Sequence, residues 1–306
     1  MCMLCDMGLP GLSGADAGTN EEIVHATVNY TAPMSETPRY HANDHSRDVH
    51  LFDPREVAIE NARGRADPPR LDREGFTLVD HPSEVKDFLD PEEVQRVYVP
   101  EVERLVCEVT GASAAVVVAT PFVRFGERAA LSGKLNNSVP ARFIHIDYSD
   151  ARAKHTAEQM LEKVSPRPGR LGRYAHYNIW RVLTPPPQDI PLAVCNARTV
   201  AARDLVPALA VFDLPGQPER TAESLVLRHS PLHRWFYYRN MTPQEALIFV
   251  TKESDPARAH HVPHTAFDDP GCPADVVPRA SIEIRVVAYF DTEGRASRAP
   301  LGFLRC

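Results

Sequence analysis

Residues 143–150 read FIHIDYSD, and the alternation inside them decides the fold class. Side chains on a strand point to opposite faces in turn, so Phe143, His145, Asp147 and Ser149 share one face, while Ile144, Ile146 and Tyr148 share the other. The second set is an ordinary core face. The first must look into water or into a polar cavity. Residues 279–290, RASIEIRVVAYF, repeat the pattern, with Arg279, Ser281, Glu283 and Arg285 on one side and Ala280, Ile282, Ile284 and Val286 on the other. Two strands built this way describe a barrel with a polar mouth and an apolar outer wall.

Working outward, further strand-like runs lie at 174–182, 191–196, 223–229, 233–239 and 245–251, separated by Gly/Pro turns. Residues 75–80 read as a short strand and 114–125 as one buried strand. Helical spacing is confined to two stretches. In 90–111 it runs through Val94, Val97, Val102, Leu105, Val106 and Val109, with Asp90 as cap, Pro91 in the first turn, Pro100 as a kink and Gly111 as the stop. The second is 150–164, capped by Ser149 or Asp150. Many short strands and few helices predict a mainly β chain with flanking helices, arranged as an antiparallel sandwich, barrel or jelly roll.

With 306 residues the chain can bury a sizeable core. Its net charge of -7, with no basic stripe, argues against a nucleic-acid partner and against docking on an anionic membrane. No apolar run has membrane-spanning length and the N-terminus lacks a signal-peptide pattern, so a cytoplasmic protein is expected. Cysteines stand at 2, 5, 107, 195, 272 and 306; the CxxC within MCMLC has no second pair to complete a zinc site, and reduced thiols are expected.

An HxD pair alone is common. The stretch HHVPHTAF (260–267) adds three histidines, of which His264 opens a strand-like HTAF, while His260 and His261 sit in a charged, loop-like run. Two histidines and one carboxylate on one face of an octahedral metal leave three positions open, the arrangement of non-haem Fe(II) oxygenases. Arg279 can take the far carboxylate of a diacid co-substrate bidentately, and Ser281 can add a hydroxyl donor. Arg285, further along the same face, is the alternative anchor.

In this order, HxD, distal His and R-x-S resemble the Fe(II)/2-oxoglutarate-dependent oxygenases. More narrowly, the chain is similar to the hydroxylase/desaturase family of secondary metabolism that includes gibberellin desaturase and the aspergillic-acid enzyme. The blocks that carry the likeness are GFTLVDHPSEVKDFLD (75–90), FIHIDYSD, YNIWRVL (177–183), PLAVCNARTV (191–200), HRWFYYRNMTPQEALIF (233–249), PHTAF (263–267) and PRASIEIRVVAYF (278–290). The resemblance implies a double-stranded β-helix (jelly-roll, cupin-like) core. It implies Fe(II) on His145, Asp147 and His264, 2-oxoglutarate on Arg279 and Ser281, and O2 as the second co-substrate. A small-molecule substrate would be hydroxylated, desaturated or cyclised, with succinate and CO2 as co-products. Asn178 and Arg285 are further candidates for the co-substrate, and Tyr174, Trp180 and Arg181 for the substrate, Arg181 from the opposite strand face. Residues 1–20 are expected to be disordered and 21–306 to form one oxygenase domain: a mixed part at 21–139, the jelly-roll core at 140–292 and a tail at 293–306. Two alternatives stand beside this reading. A cupin-type metal dioxygenase without 2-oxoglutarate would not need Arg279-x-Ser281, and a non-catalytic partner subunit would not need an intact triad. No residue pattern points to a particular substrate or oligomeric state.

Overall fold

The computed structural model describes residues 23–164 and 171–290. The expected disorder over 1–20, the CxxC and the tail at 293–306 lie outside those residues. In chain order the strands are β1 (Ile23–Thr31), β2 (Arg39–His41), β3 (Phe52–Asn61), β4 (Phe76–Asp80), β5 (Ala114–Val117), β6 (Phe122–Phe125), β7 (His145–Ile146) and β8 (Arg173–Val182). They continue with β9 (Leu192–Cys195), β10 (Leu205–Phe212), β11 (Arg220–Leu227), β12 (Trp235–Tyr237), β13 (Glu245–Glu253), β14 (His264–Ala266) and β15 (Ala280–Phe290). The helices are α1 (Pro91–Glu93), α2 (Val99–Thr110) and α3 (Asp150–Val164).

Two sheets form. One runs β1-β3-β12-β9-β14-β7-β11-β10-β2, the other β4-β13-β8-β15-β5, with β6 also pairing β15. Chain neighbours are rarely sheet neighbours: β7 lies between β14 and β11, and β8 between β13 and β15. This crossing between two facing sheets is the double-stranded β-helix, or jelly roll, expected from the polar and apolar alternation. The apolar side of β15 (Ile282, Ile284, Val286) is buried in one cluster with Val102, Leu105 and Val106 of α2. Its polar side is thereby left to face the other sheet. No helix among the described residues is long and apolar enough to cross a membrane.

Several local readings change. β1 and β3 form a full-length antiparallel pair in a stretch where the sequence reading named no strand. The signal was the alternation of buried Val24, Ala26, Val28 and Tyr30 with exposed or half-buried neighbours in IVHATVNYT. The single strand expected over 114–125 is two, β5 and β6, which pair with successive parts of β15. Pro121, just before β6, has no N–H for a ladder. The helix of 90–111 is interrupted by a π-helical stretch, Val94–Tyr98, just before Pro100, whose missing N–H leaves the carbonyl four residues earlier without its helical partner. Asp90 does cap the start, accepting from the Glu92 N–H at 2.9 Å, and Gly111 closes the end at φ 72°. Cys195 and Cys272 are free thiols, but Cys107 is disulfide-bonded, against the expectation of reduced thiols throughout.

Candidate metal centre

His145 on β7 and His264 on β14 are direct partners across an antiparallel ladder, with ring centroids 4.3 Å apart. Asp147 stands two residues past His145, on the same face. One ligand atom from each of His145, Asp147 and His264 falls within 4.8 Å of the others, and all three residues are buried. Both histidines are held through Nδ1, which donates to the Phe143 carbonyl at 3.1 Å in His145 and to the Val262 carbonyl at 3.3 Å in His264. Each Nε2 is then a lone-pair donor; that of His264 is buried without a hydrogen-bond partner. Burial, with the neighbouring His264, pushes the His145 imidazole down to about 3, and burial lowers His264 as well. Both rings are neutral, the form a metal requires.

Asp147 is gripped from the opposite sheet. Arg285 of β15 meets Oδ1 at 2.6 Å, and the Asn178 amide of β8 donates to Oδ2 at 2.5 Å. Arg285 and Asn178 are themselves cross-strand partners. Burial alone would raise the carboxyl, but the Arg285 guanidinium, with the Asn178 amide, outweighs it and holds Asp147 ionised. Glu283 takes the rest of the guanidinium, at 2.9 and 3.1 Å.

A second group of polar atoms lies at the start of β15. Arg279 is buried, donates from Nη1 to the Ile190 carbonyl at 2.7 Å, and keeps Nε without a partner, as Ser281 keeps its buried Oγ. The guanidinium carbon sits 5.7 Å from the Trp180 ring centroid, and no carboxylate of the described residues lies within salt-bridge distance of Arg279. Burial, with Arg124 and Arg142 nearby, brings its pKa down to about 9. A buried cation with no counter-charge and a buried hydroxyl with no hydrogen-bond partner form a cradle for an anion. Arg279 shares one cavity with both histidines, whose walls include Trp180, His145, His264 and Arg279.

The family profile described as "Oxidoreductase/YMDC permease-like domain" matches residues 28–289. The chain is 28% identical over 285 residues to the Fe(II)/2-oxoglutarate-dependent dioxygenase nvfI of Aspergillus novofumigatus, covering 90% of this chain and 93% of that one. It is 30% identical over 261 residues to the hydroxylase/desaturase efuI of Hormonema carpetanum, covering 78% and 85%. A solved structure of the iron and alpha-ketoglutarate-dependent endoperoxidase NvfI superposes with a TM-score of 0.73 at 25% identity, over 89% of this chain and 100% of that one. The chain belongs to the Fe(II)/2-oxoglutarate-dependent hydroxylase/desaturase family.

In this oxygenase the donor set fits the family's metal and co-substrate. Two neutral imidazoles and one ionised carboxylate suit Fe(II), and the free Nε of Arg279 and Oγ of Ser281 suit a carboxylate. Trp180 lies with them. Asn178 and Arg285, expected near 2-oxoglutarate, instead hold Asp147. Arg285 is committed to two carboxylates and is not an open anchor. Arg181 leaves the site altogether: its guanidinium donates to the Pro243 carbonyl at 2.6 Å and meets His81 at 2.7 Å, on the strand face opposite Asn178 and Trp180. Tyr174 packs with Ala157, Val287 and Tyr289 beneath α3, away from the triad. His261 meets Asp150 at 3.0 Å, and the exposed His260 bonds the Arg258 carbonyl, so neither competes with His264. The oxygenase also places Arg124, Arg152, Tyr40 and Phe143 around the triad. Tyr40 and Arg124 come from segments with no motif; only their register against later strands brings them in.

Proposed function

We propose that His145, Asp147 and His264 hold the Fe(II) of this dioxygenase, that Arg279 and Ser281 anchor the distal carboxylate of 2-oxoglutarate, and that a small natural-product intermediate is hydroxylated, desaturated or cyclised beside them. The observation that carries the reading is a neutral two-histidine, one-carboxylate cluster whose histidines share a cavity with Arg279, a buried cation with no counter-charge among the described residues. When bound, the iron supplies O2 activation coupled to oxidative decarboxylation of 2-oxoglutarate to succinate and CO2.

The chain's own residues do the positioning. The Phe143 and Val262 carbonyls fix the imidazole tautomers, so both Nε2 atoms point into the cluster. Arg285 and Asn178 keep the Asp147 carboxylate ionised and oriented. Arg279, stacked near Trp180, sets the direction in which a diacid lies, and the buried walls exclude water from the reacting carbon. We place one oxygenase domain over 21–306, working in the cytoplasm, where 2-oxoglutarate is supplied. A cupin-type enzyme without 2-oxoglutarate has no use for the cradle, and a non-catalytic subunit has no use for the intact triad.

The test is anaerobic addition of Fe(II) and 2-oxoglutarate to the apoprotein, followed by its visible charge-transfer absorption. Wild type develops the band and His264→Ala does not. Metal binding without the band would overturn the 2-oxoglutarate assignment.

A further inference from the structure

The cavity on the outer side of the triad carries more positive charge than its surroundings answer. Its walls include Tyr40, Phe143, Arg124, Arg152 and Arg285, with Asp147 as its only carboxylate. Arg285 is matched by Asp147 and Glu283. Nearby arginines are matched too, Arg142 by Glu127 and Arg128 by Asp189. Arg124 and Arg152 are not. The Arg124 guanidinium donates to the Val139 carbonyl at 2.6 Å, and Arg152 donates to the carbonyls of Asp147 and Glu223 at 2.8 and 3.2 Å. Neither has a carboxylate within salt-bridge distance among the described residues. Loading Fe(II) and dianionic 2-oxoglutarate brings equal and opposite charge, and so leaves both arginines unanswered.

Their placement relates them to the substrate. Arg124 lies opposite Ser281 in the β6–β15 ladder and lines both this cavity and the one holding Arg279 and Trp180. Arg152, in the first turn of α3, stacks on Tyr148 at 4.6 Å. Between them the wall is aromatic: the rings of Tyr40 and Phe143 are 4.6 Å apart, and Phe143 lies 5.1 Å from the His145 ring. A cation left without a counter-charge in a partly dehydrated cavity is costly, and a ligand anion removes that cost.

Resting on the function proposed above, we infer that the substrate is a carboxylate with an aromatic or alicyclic body, the body packing on Tyr40 and Phe143 and the carboxylate answered by Arg124 and Arg152. The body then lies against His145, and the carboxylate fixes which carbon faces the metal.

The experiment uses anaerobic protein with Fe(II) and saturating 2-oxoglutarate, and reads the change in the chelate band on adding benzoate or cyclohexanecarboxylate against the matching amides. The carboxylates perturb the band saturably, at concentrations about ten-fold below the amides. Arg124→Gln and Arg152→Gln each weaken carboxylate binding by about ten-fold, with the 2-oxoglutarate half-saturation unchanged. Arg124→Lys restores most of it, and the exposed Arg234→Gln has no effect. Equal binding of amides and carboxylates overturns the inference. So does a loss of 2-oxoglutarate binding in Arg124→Gln, which would give that arginine to the co-substrate. Failure of wild type to form the band at all defeats the underlying function instead.

Discussion

Arg285 and Asp147 meet at 2.6 Å across the interior, one on β15 of the six-stranded sheet and the other just past β7 of the nine-stranded sheet. The ion pair couples the two halves of the barrel at the carboxylate of the candidate metal cluster. Removing the guanidinium leaves Asp147 and Glu283 as buried neighbouring acids. Arg285→Met is expected to lose about 3–5 kcal/mol of stability in urea unfolding of the apoprotein, with Arg285→Lys intermediate. Unchanged stability in the Met variant would show that the pair couples nothing.

Asn178 touches the same carboxylate from its other side, at Oδ2. Asn178→Ala is expected to weaken Co(II) or Mn(II) binding by about 10- to 100-fold while leaving the fold intact. Equilibrium dialysis reads this without turnover.

The cradle makes a different demand. Arg279→Gln should raise the 2-oxoglutarate half-saturation by about 100-fold, and Ser281→Ala by about ten-fold, with smaller changes at saturation. A variant with wild-type half-saturation would remove Arg279 from the co-substrate site.

Gly75 has φ +95°, and a Cβ there would run into the Val262 side chain. Val262 supplies the carbonyl that orients His264. Gly75→Ala is therefore expected to cost about 1–3 kcal/mol of stability and to weaken Co(II) binding as well. Lost stability with unchanged metal affinity would show that the glycine serves only the loop.

Burial pushes His50, His176 and His261 each down to about 4. An unfolded chain protonates them near 6.5, so between pH 6.5 and 4 it binds more protons than the folded one. Stability is full above that window and falls as the pH drops through it. His261→Gln should reduce the slope by about 1.4 kcal/mol per pH unit, read from urea midpoints between pH 4.5 and 6.5. An unchanged slope would mean that His261 takes its proton in the folded state as readily as in the unfolded one.

The candidate metal cluster was legible because His145, Asp147 and His264 carry metal-binding chemistry in their own side chains, and the fold brings the three together. The polar face of β15 was legible because strand alternation is local. What alternation cannot convey is where a side chain goes once it reaches the interior. Arg285 read as an anchor, yet Asp147 and Glu283 claim it; Arg181 read as a substrate contact, yet its strand face turns it toward His81 and Pro243. Arg124 stayed silent because its meaning arises only from standing opposite Ser281. β3 was hidden because Ile59 is its one fully buried residue among polar and charged neighbours, whereas β1 carried a readable alternation.

His145 and His264 are joined by one rung of a sheet ladder but separated by more than a hundred residues of chain. During synthesis the His145–Asp147 pair therefore leaves the ribosome long before His264 exists, and two such side chains on a loose segment would hold a metal poorly. Only the closed barrel brings the three side chains together. A nascent or misfolded copy would therefore offer a metal no complete three-residue set.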